Sequence, residues 1–286
     1  MRKLYGTLFL CGTPIGNLGD ITLRELEVLK SCDLIAAEDT RNTLKLLNHF
    51  GIQKPLVSYY EHNKFQKGPE LVNKLKEGID IALVTDAGMP GISDPGADMV
   101  RLCGLEGVPV TSAPGPTAFV TALVLSGIDS RRFIFEGFLP TDKREKEETL
   151  KKLERETRTV IFYEAPHRLK STLKELSAYA RNREAACVRE ITKKFEEVKK
   201  GSLESLLDYY TENEPKGEFV IVIAGADANA LKQEEIESWE SISVEEHVNM
   251  YVAKGMSEKD AMKQAAKDRG VAKRDIYSLL KGKGTD

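Results

Sequence analysis

No stretch of this 286-residue chain holds the roughly 18–20 uninterrupted apolar residues that a membrane-spanning helix requires. No signal-peptide cleavage pattern follows the start, MRKLYGTLFLCGT, which runs directly into a strand-like segment. Cysteine is sparse: Cys11, Cys32, Cys103 and Cys187 form no C-x-x-C pair, and His49, His62, His167 and His247 are equally scattered. That dispersal argues against a zinc site and a disulfide framework, predicts no metal, and fits a reducing cytoplasm. Overall charge is also slight, at −3, so nothing global points to a polyanion. Its distribution is uneven. From Val252 to Asp286 nine basic residues face five acidic ones, leaving a tail of +4 on a body of −7. A basic tail on an acidic body points to a polyanionic partner.

Two phosphate-binding signatures are missing as well. The glycines of "GTPIGNLGD" (12–20) are spaced G-x3-G-x2-G, without the G-K-[ST] of a P-loop and without G-x-G-x-x-G.

What is present is alternation. The apolar runs "LFLCGT", "DLIAAED", "PLVSY", "IALVT" and "VPVTSA" are each followed by an amphipathic stretch, giving five strand–helix pairs within about 125 residues. The fold class is therefore α/β: a parallel sheet with helices on both faces, over residues 1–128. Thr22 and Glu25 have capping-box spacing ahead of the first helix. After "DSRRF", four further strand-like runs, "FIFEGF", "TVIFYE", "AACVREI" and "EFVIVIAG", predict a second α/β domain over 129–230. "ADANALKQEEIESWES" reads as a helix-to-linker stretch or a solvated connection. Residues 240–286 read as a small helical module of three short helices, with caps at Ser243 and Ser257 and glycines at the breaks. Such a module resembles a helix-turn-helix, and a three-helix packing unit looks the same in sequence.

Turn chemistry gathers where strands end. "GTPIGNLGD", "AEDTR" (37–41), "VTDAGMPGISDPG" (84–96) and "SAPGPTA" (112–118) each leave the carboxyl end of a predicted strand, the edge where open α/β sheets bind ligands. Glycine allows close backbone approach there and proline stiffens the path.

"TPIGNLGDIT", "DLIAAEDTR", "VTDAGMPGISDPG", "APGPTA", "FEGFLP", "VIFYEAPHRL", "REITKKFEE" and "GEFVIVI" occur in this order across nearly the whole chain. Together they resemble the bacterial small-subunit (16S) ribosomal RNA (cytidine-2′-O)-methyltransferase family, of the tetrapyrrole-methylase-like class. The resemblance implies two αβα domains, class III methyltransferase architecture and a homodimer. It implies S-adenosyl-L-methionine as methyl donor in the cleft between the domains, and small-subunit ribosomal RNA or an assembled small subunit as acceptor. It also implies donor-binding positions: Pro14; Asp86, Ala87, Gly88, Ile92, Ser93 and Asp94; Thr117 and Ala118; Phe162 and Tyr163. Tetrapyrrole relatives carry G-D-P where this chain has "TDAGMPG".

Methyl transfer from a sulfonium requires alignment of acceptor oxygen, carbon and sulfur, with reacting atoms about 3–3.5 Å apart. A ribose hydroxyl is a poor acid, so a base or a cation is expected beside it. The candidates are Glu38 or Asp39 as base, Arg41 on phosphate or a developing oxyanion, and His167 with Glu164 in "YEAPHR". Each has a plain structural alternative: Glu38 capping a helix, His167 satisfying amides at a helix start, Arg41 in a surface ion pair. Lys273, Arg274 and Lys281 of the last helix are the candidate RNA contacts. A small-molecule methylase and a non-catalytic ribosome-binding protein are the rival readings.

Overall fold

The computed structural model describes residues 4–180 and 182–281. Strands β1 (Leu8–Cys11), β2 (Leu34–Ala37), β3 (Leu56–Ser58), β4 (Ile81–Val84) and β5 (Val110–Ala113) alternate with helices α1 (Leu23–Ser31), α2 (Thr40–His49), α3 (Lys64–Lys76), α4 (Gly96–Leu105) and α5 (Ala118–Ser126). The strands form a fully parallel sheet in the order β3-β2-β4-β1-β5. Every residue of central β4 is buried, as a strand covered on both faces requires. Leu71, Leu75, Met99 and Cys103 of α3 and α4 pack on one face, and Leu29 and Leu47 of α1 and α2 on the other. Because β4 returns beside β1 after β2 and β3 have run outward, the loops after β1 and β4 emerge side by side. Thr13 and Gly88 join them by two backbone hydrogen bonds of 3.0 Å.

The second sheet comprises β6 (Phe133–Phe138), β7 (Thr159–Glu164), β8 (Glu184–Arg189), β9 (Glu197–Ser202) and β10 (Phe219–Ile223), with helices α6 (Lys143–Arg155), α7 (Pro166–Ala180) and α8 (Leu203–Glu212). Its order is β6-β7-β10-β8-β9; only β6 and β7 pair in parallel. It has five strands where four were expected. The unforeseen one, β9, reads "EVKKGS" and pairs with β8 alone; a charged edge strand lacks the apolar signature that marks buried ones.

Helix α5 is apolar on nearly every side, and its Ala122 and Leu123 cluster with Ile161, Ala186, Val188, Val220 and Val222 of the second sheet. Both sheets accordingly fall in one compact unit, running to Leu150 and over Thr159–Ala224. The other unit holds Lys151–Arg158 and the chain from Gly225 onward. It contains α9 (Ala228–Glu240), α10 (Val244–Ala253), α11 (Glu258–Asp268) and α12 (Lys273–Lys281), around Val248, Ala261, Met262, Ala265 and Ile276. Ser243 and Ser257 cap α10 and α11 as their spacing predicts. The stretch read as helix-to-linker or solvated connection forms helix α9, whose Trp239 stacks on His247 at 3.9 Å. Among the described residues no helix is long and apolar enough to cross a membrane, and no cluster of three or more His, Cys, Asp or Glu could hold a metal.

Candidate active site

Two cavities open along the carboxyl edge of the first sheet. The larger, about 490 Å³, is walled on one side by Ile15 after β1, Ala87, Gly88, Met89 and Ile92 after β4, and Thr117 and Ala118 at the start of α5. The opposite wall comes from the second sheet: Phe138, Tyr163 and Glu164 at the ends of β6 and β7, His167 in the first turn of α7, Ile191 and Lys193 after β8, and Glu218–Val220 entering β10. Because β10 runs antiparallel to β7 and β8, its beginning lies at the edge where theirs end. The volume suits a small organic ligand, and the lining is mostly apolar with a few placed polar groups.

Glycine makes this edge possible. A Cβ on Gly115 would lie 2.1 Å from the Gly12 carbonyl oxygen, so the loops after β1 and β5 touch backbone to backbone. Gly88 and Gly91 hold φ of 84° and 91°, a region side chains disfavour. Asp94 does not line the cavity. Its carboxylate accepts from the amides of Gly91, Ile92 and Gly96 at 2.7–3.1 Å and so holds the bend from within. Ser93, within that bend, holds φ at 65°. Phe162 is fully buried in β7, whereas the neighbouring Tyr163 reaches the cavity; burial raises the pKa of its hydroxyl.

The smaller cavity, about 220 Å³, is formed by Thr13, Pro14 and Leu18, by Asn42, Thr43, Lys45 and Leu46 of α2, and by Thr85 and Asp86. Pro14 and Asp86 thus face this second cavity, while their neighbours Ile15 and Ala87 face the first.

The acidic loop after β2 braces the partition. Glu38 accepts from Thr85 Oγ1 at 2.5 Å and from the Asp86 amide at 3.4 Å. It is Asp39, not Glu38, that caps the following helix, accepting from the Arg41 amide at 2.8 Å. The Arg41 guanidinium also donates to both Asp39 oxygens, at 3.1 and 2.7 Å. These bonds pull the Asp39 pKa down to about 2, which makes it a poor proton acceptor in this arrangement. The Arg41 side chain is 85% exposed and has room to meet an anion. In the other wall Glu164 is committed, accepting from Thr172 Oγ1 at 2.6 Å and the Ala165 amide at 2.8 Å. His167 is exposed and has no hydrogen-bond partner among the described residues.

Lys193 was not anticipated. Its Nζ donates to Glu190 at 3.0 Å and Glu218 at 2.7 Å; burial opposes its charge, but these carboxylates outweigh it and raise its pKa. Its stem runs over Gly16, where a Cβ would come within 2.4 Å of Lys193 Cγ. Glu190 and Thr192 both hold positive φ, 49° and 65°, unusual above all for a β-branched threonine. "REITKKFEE" marks the segment in sequence, but nothing in it announces that backbone.

Arg274 is exposed at the start of α12, with its guanidinium 3.6 Å from Asp275, and Lys273 is half-buried. The Lys281 side chain lies outside the described residues.

Residues 7–207 match the family of Tetrapyrrole (Corrin/Porphyrin) Methylases. The chain is 48% identical to "Ribosomal RNA small subunit methyltransferase I" of Halalkalibacterium halodurans, over 97% of this chain and 96% of that protein. It is 47% identical to the protein of that name from Bacillus subtilis, covering 95% and 93%, and 46% identical to that of Synechocystis, covering 96% and 97%. Among solved structures, uroporphyrin-III-C-methyltransferase from Thermus thermophilus superposes with a TM-score of 0.55 at 19% identity, covering 76% of this chain and 94% of that one. Diphthine synthase does so at 0.57 and 16%, covering 76% and 89%. At that identity the two structures speak for the fold alone.

Proposed function

This chain belongs to the tetrapyrrole methylase family and to the ribosomal RNA small subunit methyltransferase I group within it, and from that premise we propose that it methylates the ribose 2′-oxygen of a cytidine in small-subunit ribosomal RNA, with S-adenosyl-L-methionine as donor. That it is a methyltransferase of ribosomal RNA follows from near-full-length identity of 46–48% to proteins so named. The larger cavity supports the choice of donor. Its backbone-built rim after β4, apolar Ile15, Ile92 and Ala118, and the rings of Tyr163 and Phe138 fit a ligand that joins a nucleoside to an amino acid through a positive sulfur. When bound, the donor supplies an electrophilic methyl group.

The chain's own residues do the rest. Ala87, Gly88, Ile92, Thr117, Ala118 and Tyr163 hold the donor, and Asp94 and Ser93 keep their loop in shape. Phe162 anchors Tyr163 from within the sheet. His167, exposed at the cavity and without a hydrogen-bond partner among the described residues, is assigned the proton from the 2′-hydroxyl. Glu38 and Asp39 position the partition and Arg41, whose guanidinium takes a phosphate at the rim. Lys273, Arg274 and Lys281 add contacts to RNA. The two sheets act as two lobes closing on one ligand, with the helices from residue 240 onward as an accessory module. A cytoplasmic homodimer completes the reading; Val120 and Val124 of α5 and Phe133 of edge strand β6 leave apolar surface exposed for a second copy.

Purified protein, S-adenosylmethionine and small ribosomal subunits from cells lacking this protein test it. The expected product, by mass spectrometry of digested RNA, is one cytidine carrying a ribose methyl group. A methyl on a base, or on a porphyrin precursor in a parallel incubation while RNA stays unmodified, would overturn the reading.

A further inference from the structure

We propose that the smaller cavity takes the base of the acceptor nucleotide, turned out of its strand, and that Asp86 reads its exocyclic amino group. The inference rests on the function proposed above and assigns a ligand to a cavity which that function leaves unused.

Position is the first argument. The two cavities are separated by two short segments, Pro14–Ile15 and Asp86–Ala87, each turning one residue into either cavity. The paired backbone bonds of Thr13 with Gly88, and the 3.0 Å bond from Thr13 Oγ1 to the Thr85 carbonyl, keep that ridge stiff. A base on one side of so thin a wall leaves its ribose at the crest, facing the donor side.

Size and chemistry agree. At about 220 Å³ the cavity lies below the roughly 300–1,000 Å³ of pockets that enclose whole cofactors, and matches a single small planar group. Pro14, Leu18 and Leu46 offer apolar contact for a ring face. The Asp86 carboxylate accepts from the Asp39 amide at 3.2 Å and from Asn42 Nδ2 at 3.1 Å. Those bonds fix its direction and use two of about four acceptor positions, leaving capacity for a ligand donor. A carboxylate pairs with the N4 amino group of cytosine. It repels the O4 carbonyl of uracil in the same place, because two acceptors would then meet with no proton between them. Lys45, exposed at the mouth, supplies a cation for the adjoining phosphate or the base O2.

The experiment uses full-length protein and reconstituted small subunits carrying either the mapped acceptor cytidine or uridine there. Wild type is expected to prefer cytidine in kcat/KM by at least about fivefold, the lower end of what one base contact contributes. Asp86→Asn, which replaces an acceptor oxygen with an amide donor, should reduce or invert that ratio. Asn42→Ala, which frees the carboxylate to turn, should lower kcat/KM for the cytidine subunit. Calorimetric titration of each variant with S-adenosylmethionine runs alongside. An unchanged cytidine-to-uridine ratio in Asp86→Asn overturns the proposal, and weakened donor binding with it would assign Asp86 to the larger cavity. Wild type that binds donor but methylates neither subunit overturns the function reading instead, and the base assignment falls with it.

Discussion

At the scale of single residues, the least comfortable side chain is Glu25. Thr22 Oγ1 accepts from its amide at 3.1 Å, so half of the predicted capping box forms. The reciprocal half does not: both Glu25 carboxyl oxygens are buried without a well-formed hydrogen bond. Burial pushes its pKa up to about 8, outweighing the opposing effect of the nearby Thr22 amide. The sign of the consequence is fixed by linkage. Below about pH 4.5 folded and unfolded chains both keep the proton. Between about 4.5 and 8 the unfolded chain releases it and the folded chain does not, so stability falls as pH rises, by up to about 1.4 kcal/mol per pH unit. Glu25→Gln removes that titration. The variant should gain melting temperature over wild type at pH 8 and lose most of that gain at pH 4.5. An equal difference at both pH values would mean that Glu25 is already ionised in the fold. The spacing of Thr22 and Glu25 was readable; that the side chain turns inward could not be, because only the packed surroundings of α1 decide it.

At the scale of elements, the loop between β4 and α4 shows how a charged residue serves a site it does not touch. Asp94 gathers three amides of its own loop, and these bonds hold Gly91 at positive φ and aim Ile92 at the larger cavity. Asp94→Ala should therefore cost about 1–3 kcal/mol of stability, the usual consequence of leaving partly buried amides unpaired beside a lost charged acceptor. It should also weaken S-adenosylmethionine binding about tenfold, whereas Asp94→Asn, which keeps one acceptor oxygen, should recover part of both. Calorimetry and thermal melts check the pair; full donor affinity in a destabilised Asp94→Ala would show the loop shape to be irrelevant to the ligand. The strand-end loops were visible in the sequence because apolar β1, β2, β4 and β5 contrast sharply with the glycine and proline that follow. The backbone of the segment after β8 was not, although "REITKKFEE" marks its place. Its strain resides in the φ angles of Glu190 and Thr192, which no residue type advertises, and its return strand β9 is too charged to be seen. The existence of two cavities, rather than one, also depends on a single alternation along Pro14–Ile15 and Asp86–Ala87 that spacing does not reveal.

At the scale of the whole molecule, the division of charge sets the expectation for RNA. A body of −7 opposes a polyanion, so attraction must come from local cations: those of the +4 tail and Arg41 and Lys45 beside the clefts. Among the described residues the tail is a folded unit, since Val248, Ala261, Ala265 and Ile276 close a core among α10, α11 and α12. The charges of α11 and of the start of α12 therefore sit at fixed positions, and Lys273 and Arg274 can meet successive phosphates as a group. Each neutralised phosphate releases counterion and adds about 0.7–0.9 to the slope of log K against log salt. Replacing Lys273 and Arg274 together with alanine should lower affinity for small subunits and flatten that slope by about one to two, while donor affinity stays at the wild-type value. Ile276 is left in place, so the unit's core survives the change. Binding measured across a salt series would decide the matter. A slope indistinguishable from wild type would remove α12 from the RNA surface and leave the rim of the clefts, with Arg41 and Lys45, to carry the attraction.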